Sequence, residues 1–407
     1  MKPLTGTLNA ERFTGAALST PIRICLITSK HTIRDSRVFG CFFCGIEQAG
    51  GQVTVVGPST EPAGESDDPR SIRLPVPASA NEGTLRSLRL SCQRIRALVH
   101  LFVWCLRLRP DIIQACDPDS WLVAWLAARL SGTRAVFDVH EMFPAYLAGH
   151  LPARWRRTGE AALLRAFQWL LHRADAVFHV SEARREYYGI VGDRHVAVPS
   201  YPRLAIAELA RPAGERTLDV VHLGRVVEPA SRFTLVEALR YCRGAGRSLS
   251  ALIIGQTRSD FLLGLPGDAA ATLGDLLCFS EPLPHQRALE LASAAHIGLA
   301  LYDSEAASRN IVASRKLFEY MALGLTVVGS RAQGLGDFIE RHDIGTVVPL
   351  DARVLGSALL SLMDDPNRRR HCAAAGRAAF RRDYNWDVQN EWLMSIYRSL
   401  IRPAGSR

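Results

Sequence analysis

The sequence predicts an α/β protein of two doubly wound, Rossmann-like domains facing a cleft. Apolar runs of strand length alternate with helical patterns along most of the chain, as expected for parallel strands buried on both faces. The alternation breaks once, at a proline-bearing stretch near the middle, and then restarts. The 407 residues, 48% apolar and 22% charged, are globular in composition and too many for one small core.

The first domain is expected over residues 21–198. "IRICLIT" (22–28) is its first strand, and a helix through "VFGCFFCGIEQAG" stops at Gly50 and Gly51. The strands "QVTVVG", "DIIQAC", "RAVFDV", "ADAVFHVS" and "HVAVPS" follow, with helices between them. Residues 199–216 hold three prolines and little strand pattern, and read as a linker. The second domain, residues 217–383, carries the strands "DVVHLG", "SALIIG", "LLCFSE", "HIGLALY", "LTVVGS" and "GTVVPL". Residues 384–407 form a last helix with Val388, Trp392, Ile396 and Leu400 on one face. It must dock, and the first domain is the expected place. Residues 1–20 are polar and mixed, without the apolar run of a signal peptide, and read as a disordered extension.

The net charge of +9 favours anionic partners. Nucleic acid is set aside, because no helix-turn-helix, zinc pair or aromatic–basic RNA motif is present. The nine cysteines are scattered, and Cys41-x-x-Cys44 lies in an apolar helical stretch, so buried thiols in a reducing compartment are expected. The longest apolar runs, 97–106 and 121–128, are too short to span a bilayer. The stretch from Thr84 to Arg109 has six arginines, no acid, and Leu, Phe and Trp among them. That suits an anionic lipid surface, and equally a packed helix with solvated arginines. The location expected is cytoplasmic, peripheral on the inner face of the cell membrane where that helix binds it.

Ligands of doubly wound sheets bind beyond the carboxyl ends of strands. Four such corners carry polar residues. In "SRKLFEYMALGLTVVGS", Ser314 is a candidate N-cap and Arg315 and Lys316 add charge at a helix N-terminus, which suits a phosphate. Glu319 stands one turn after Arg315, either as a surface i,i+4 ion pair or as a ligand group. In "VVHLGRVVEPASRF", Gly224 and Arg225 directly follow a strand, and Arg suits bidentate phosphate binding. "AVFDVHEMFP" clusters Asp138, His140 and Glu141; with no second His at helical spacing, no metal site is expected. "TSKHTIRDSRVF" puts Lys30, His31, Arg34, Asp35 and Arg37 at the mouth of the first strand.

Together, in this order, the corners resemble the GT-B glycosyltransferases, in particular glycosyltransferase family 4, which is retaining and nucleotide-sugar-dependent. "TSKHTIRDSRVFG" looks like the family's opening with its D-x-R-V. "FDVHEMFP" resembles D-x-H-E-x-x-P, and "ADAVFHVS" resembles A-D-x-V-x-x-V-S. "SRKLFEYMALGLTVVGS" is similar to the block K-L-F-E-Y-M-A-x-G-x-P-V-V-x-S, and the likeness runs over about residues 22–400. The resemblance implies transfer of a sugar from a nucleotide-diphosphate sugar, UDP- or GDP-linked, to a lipid-linked or surface-polysaccharide acceptor, with no metal or other cofactor. It implies that Glu319 binds the ribose hydroxyls, since a carboxylate accepts from two vicinal hydroxyls. Ser314, Arg315, Lys316, Gly224 and Arg225 would hold the diphosphate, Arg225 also neutralising the leaving group. His140 would contact the transferred sugar, and Asp35, Arg37, Asp138 and Glu141 would line the acceptor side.

The sequence also departs from the family. Ile311, beside Asn310, stands where the first Glu of E-x7-E is frequent, and Ala230 where a diphosphate Lys or Arg is usual. Arg232 is the expected substitute for the latter. These departures leave a catalytically silent nucleotide-sugar-binding or scaffold protein as the alternative.

Overall fold

The computed structural model describes residues 21–58, 70–74, 84–190, 192–265, 276–303, 314–332 and 334–401, with residues 84–92 as backbone only. The 1–20 stretch and the Asn310–Ile311 position lie outside the described residues. The chain divides into two compact units, Met1–Ser200 with Gln389–Arg407, and Tyr201–Val388.

In unit one the strands are β1 (Arg23–Ile27), β2 (Gln52–Pro58), β3 (Ser71–Leu74), β4 (Ile112–Ala115), β5 (Arg134–Val139), β6 (Ala176–His179) and β7 (His195–Ala197). They form one parallel sheet in the order β3-β2-β1-β4-β5-β6-β7. β3 is a strand absent from the sequence reading. It is an edge strand whose residues are only half-buried up to Leu74, so its apolar signal is weak. The helix expected after β1 begins as a π-helical turn, Val38–Phe43, and becomes α1 (Cys44–Gln48). Asp35 Oδ1 caps it, accepting from the backbone N–H groups of Arg37 at 2.8 Å and Val38 at 3.1 Å. Helices α2 (Thr84–Leu108), α3 (Pro118–Ser131), α4 (Phe143–Gly149), α5 (Ala153–Leu171) and α6 (Glu182–Tyr188) complete the unit. α3 has a capping box from Asp117 and Ser120, Pro118 at its start and Gly132 in the left-handed conformation at its end, each placed as helix termini require.

In unit two, β8 (Leu218–Leu223), β9 (Ala251–Ile254), β10 (Leu277–Ser280), β11 (Ala295–Ala300), β12 (Thr326–Ser330) and β13 (Gly345–Val348) form a second parallel sheet, β10-β9-β8-β11-β12-β13. Its helices are α7 (Pro229–Gly244), α8 (Arg258–Leu262), α9 (His285–Ala292), α10 (Arg315–Leu323), α11 (Leu335–His342), α12 (Ala352–Asp364) and α13 (Pro366–Asp383). Alternate strand residues serve two cores. Val221, Leu223 and Val327 join Leu317, Phe318 and Met321 of α10 on one face. Val220, Ile297 and Val328 join Leu235 and Leu239 of α7 and Leu355 of α12 on the other. Burial on both faces is why these strands read as unbroken apolar runs.

The final helix, α14 (Trp386–Ile401), buries Asn390, Leu393, Met394 and Tyr397 in unit one. Tyr397 meets Phe178 of β6 edge-on and donates to Gln114 of β4, and Asn390 Nδ2 donates to the Gly45 carbonyl at 2.8 Å. Of the apolar face expected from the sequence, Ile396 is buried and Trp392 and Leu400 are half-buried, but Val388 is exposed. The i+4 series from Val388 drifts off the true stripe, in which a buried amide takes a place that hydrophobicity alone does not mark.

Candidate functional site

Each sheet reverses its winding direction once, between β1 and β4 in unit one and between β8 and β11 in unit two. At such a point the neighbouring crossovers leave to opposite faces and open a crevice at the strand ends. The polar residues of both units gather there.

In unit two, β8 exits through Gly224, whose φ of +77° is the left-handed region open to glycine. Its N–H donates to the Ile254 carbonyl at 2.8 Å. Arg225 follows, exposed, and no hydrogen bond or ion pair engages its side chain among the described residues. Across the switch point, β11 leads to Tyr302, whose N–H donates to Ser330 Oγ at 2.8 Å. α10 then begins at Ser314. Ser314 is the N-cap residue, but its hydroxyl does not cap the helix; it shares a 2.6 Å hydrogen bond with Tyr302 Oη. Among the described residues, the first backbone N–H groups of α10 are thus left without a side-chain cap, beside Arg315 and Lys316.

Glu319 is not a surface charge. It is 5% exposed, and its Oε1 accepts from Arg315 Nε at 2.9 Å and lies 2.8 Å from His285 Nε2. Burial alone would raise its pKa; the His285 and Arg315 contacts outweigh that and hold it below the usual carboxylate range. Lys316 Nζ lies 3.2 Å from His222 Nε2 and 5.3 Å from the centre of the Tyr302 ring. Burial pushes the Lys316 ammonium down to about 8, with Glu319 and Glu228 opposing. Gly224, Arg225, Ser314, Arg315, Lys316 and Glu319 therefore share one corner.

Arg232 does not join them. It is 7% exposed, and its Nη1 donates to the carbonyls of Asp260, Phe261 and Leu263 at 3.2, 2.7 and 2.7 Å. It ties the end of α8 to α7. The residue expected to replace the missing diphosphate cation is occupied as a backbone clamp.

In unit one, Arg37 is buried and clamps Asp138, with Nε to Oδ2 at 2.8 Å and Nη2 to Oδ1 at 2.6 Å, while Nη1 reaches Ser200 Oγ at 2.8 Å. Asp138 also accepts from His140 Nε2. Burial opposes ionisation of Asp138, but Arg37 and His140 hold its carboxyl well below the usual range. An ionised Asp138 only accepts, so His140 donates to it through Nε2, leaving Nδ1 as the ring atom that this pair does not engage. His31 lies beside it, ring centres 4.9 Å apart, with Nε2 3.4 Å from the buried Asp117 Oδ1. Asp117 Oδ2 accepts from Thr28 Oγ1 at 2.7 Å and Ser29 N at 2.8 Å, so it organises the loop after β1. Asp35, the helix cap, has its second oxygen 3.8 Å from His31 Nδ1. Glu141 is exposed and 3.8 Å from Arg184 Nη2. Arg37 and Asp138 are thus spent on each other, while His140 and Glu141 have atoms free to meet a ligand.

A sulfur of Cys116, a carboxylate oxygen of Asp138 and a ring nitrogen of His140 lie within 4.8 Å of one another. The set suits an ion poorly. Arg37 already neutralises Asp138, and burial pushes the Cys116 thiol up, away from the thiolate a metal needs.

Three functional candidates escaped the sequence reading. His222 is a lone polar residue in an apolar strand, two positions before Gly224. Asp117, two residues beyond β4, is the capping residue of a Pro-led helix. His285 opens α9 after Pro284, and only its distance from Glu319 marks it.

Residues 42–200 match the family described as glycosyl transferase 4-like domain, and residues 250–394 match that described as glycosyl transferase-like. Phosphatidyl-myo-inositol mannosyltransferase of Mycobacterium tuberculosis (strain H37Rv) is 28% identical over 235 residues, which are 55% of this chain and 58% of that protein. Sucrose-phosphate synthase from Thermosynechococcus elongatus superposes with a TM-score of 0.68 at 18% identity, covering 93% of this chain and 99% of the other. Anabaena HepE in complex with UDP-glucose gives 0.63 at 14%, over 92% and 99%. At these identities the structural likeness is one of fold.

Proposed function

The chain belongs to the family 4-like glycosyltransferases of GT-B fold, and we propose that it moves a sugar from a nucleoside-diphosphate sugar to an acceptor hydroxyl with retention of configuration. The observation that carries the reading is Glu319. It is a buried, ionised carboxylate with one oxygen held by two donors, on a helix whose N-cap residue makes no side-chain cap bond and whose Lys316 reaches His222, two residues before Gly224. A ribose diol on Glu319 and a diphosphate at the helix end fit that corner chemically. HepE, solved with UDP-glucose, supports a uridine donor, with a guanosine donor as the other choice.

Arg225, exposed and unpaired, neutralises charge on the departing diphosphate as the glycosidic C–O bond breaks. The acceptor oxygen bonds to the anomeric carbon on the face the diphosphate leaves, and its proton passes to the diphosphate. No enzyme nucleophile is required. His140, through Nδ1, is assigned to the transferred sugar, and Glu141 to acceptor hydroxyls. The relative named phosphatidyl-myo-inositol mannosyltransferase supports a lipid-linked acceptor. So do Ile95 and Val99 of α2, exposed beside Arg94 and Arg96, as a contact with an anionic inner-membrane surface. Among the described residues no helix is long and apolar enough to cross a membrane.

A thermal-shift screen against UDP-, GDP-, ADP- and dTDP-sugars tests the reading, with Glu319→Ala as control. One nucleotide should stabilise the wild type and not the variant. A second reading, a silent nucleotide-sugar-binding protein, is favoured by Ala230 and by the engaged Arg232 at the place of a diphosphate cation. Binding of the donor without any turnover to free nucleotide would select it.

A further inference from the structure

β8 is apolar inward except for His222, which is 2% exposed. A buried imidazole needs partners for both nitrogens. Nδ1 lies 3.0 Å from the Gly224 carbonyl. A carbonyl only accepts, so Nδ1 carries the proton. Nε2 lies 3.2 Å from Lys316 Nζ and therefore offers its lone pair to the ammonium. Burial, with Lys316 adding, pushes the pKa of the ring well below its ordinary value, so it stays neutral. One end of the ring thus fixes the carbonyl of the left-handed glycine turn, and the other fixes a cation on a different element.

The geometry points to His222 as a positioning residue of the diphosphate corner, joining the Gly224–Arg225 turn to the Lys316 ammonium so that both meet the anion in one arrangement. The inference rests on the nucleotide-sugar reading above. Without the ring, the hydrogen bond left between the end of β8 and α10 among the described residues is that of Tyr320, whose hydroxyl accepts from Leu223 N. Lys316 would then be free to swing toward Glu228 or Glu319, the two carboxylates that act on it.

The link has a pH signature. Among the described residues Lys316 faces His222 from β8, Glu228 before α7, the Tyr302 hydroxyl-bearing ring after β11, and Arg315 and Glu319 on α10. Tyr302 is pushed up to about 12 and does not titrate near neutrality. Lys316 titrates at about 8 in the free protein. A bound diphosphate favours its charged form, so affinity is full below pH 8 and falls as pH rises above it. His222 stabilises the charged form by accepting its hydrogen bond, so removing the ring moves that break to lower pH.

The experiment is calorimetry of the full chain with UDP, GDP, ADP and dTDP between pH 6.5 and 9.5. The best ligand should lose affinity above about pH 8. His222→Phe should bind roughly tenfold weaker at pH 7, with the break at lower pH. Lys316→Met should show no break, and His222→Phe/Lys316→Met should lose less affinity than the two single losses combined. A break unmoved in His222→Phe, or a double variant weaker by the full factor, overturns the inference. Should His222→Phe fail to fold, ¹⁵N-histidine NMR of the wild type decides: a buried ring with Nδ1–H is expected, and Nε2–H overturns it. Absence of binding by the wild type to all four nucleotides is a different result, and it removes the nucleotide reading itself.

Discussion

Glu319 Oε1 lies 2.8 Å from His285 Nε2 and accepts from Arg315 Nε at 2.9 Å. Both contacts use the same oxygen, so Oε2 is unclaimed among the described residues. Arg315 sits one turn back on α10, whereas His285 opens α9, 34 residues earlier in the chain. A carboxylate fixed from two elements, with one oxygen open, is preorganised to accept from a ligand hydroxyl rather than to stabilise its own helix alone.

Glu319→Gln should weaken nucleotide binding about 10- to 100-fold, the worth of a charge-assisted hydrogen bond of roughly 1.5–3 kcal/mol. The same change should flatten one part of the stability–pH curve. The folded-state pKa of Glu319 is lowered. Its contribution is therefore complete above the ordinary carboxylate pKa and is lost as pH falls through the lower folded value. Urea unfolding between pH 3 and 7 reads this. Parallel wild-type and Glu319→Gln curves would remove the assigned role of the His285 and Arg315 contacts.

The order of strands and helices was legible in the sequence because both sheets are parallel and covered on both faces, so nearly every strand is an apolar run. What escaped lay where that signal thins: β3 at an edge, and the π-helical turn at Val38–Phe43, whose wide hydrogen bonds leave no compositional mark. The side-chain fates escaped for another reason. Nothing within α10 shows that Glu319 is buried, because His285 arrives from elsewhere in the chain. Arg232 reads as a cation near a phosphate site until the three carbonyls of the α8 end claim it. Clamps of this kind depend on tertiary neighbours rather than on local pattern.

Arg225 and Arg232 should behave oppositely. Arg225 is exposed and has no side-chain partner among the described residues, so Arg225→Ala should leave the melting temperature within about 1 °C while turnover falls about 100-fold or more, as for other groups that meet transition-state charge. Arg232→Ala strips three carbonyls of their donor and should cost about 2–4 kcal/mol of stability, with nucleotide affinity in the surviving folded fraction nearly unchanged. Calorimetry and urea unfolding on both variants separate the two. A large affinity loss in a stable Arg232→Ala protein would return that residue to the diphosphate.

Arg37 and Asp138 form a buried, bidentate pair with His140 as third member. Removing one partner leaves the other charge buried and alone, so Arg37→Met should destabilise by about 3–5 kcal/mol. Asp138 has a strongly depressed pKa. Its contribution is present above the ordinary carboxylate pKa and drains away as pH falls below it, so the deficit of Arg37→Met should shrink in acid. Urea unfolding at pH 7 and at about pH 2.5 checks this. An Arg37→Met/Asp138→Leu pair should recover most of the loss; failure to recover would mean that Arg37 acts mainly through Ser200.

Tyr320 joins the two central strands of unit two at the switch point. Its hydroxyl accepts from Leu223 N at 2.8 Å and donates to the Leu299 carbonyl at 3.1 Å. The ring lies flat over Gly298, where an added Cβ would stand 2.5 Å from Tyr320 Cγ. Gly298 has no unusual backbone angle, so it is glycine for space alone. Held at its tip by both strands, the ring cannot retreat, and Gly298→Ala should cost about 1–3 kcal/mol through overpacking. Tyr320→Phe should cost about 1–3 kcal/mol by leaving Leu223 N–H unpaired in the interior. In the double variant the untethered Phe ring can slide away from the new methyl group, so the two losses should sum to more than the measured cost by about 1 kcal/mol. Leu223 directly precedes Gly224, so the same variants should also loosen nucleotide binding severalfold. Strict additivity in urea unfolding would show that the ring has another way to move, and that the tether at Leu223 does not set the geometry of the turn.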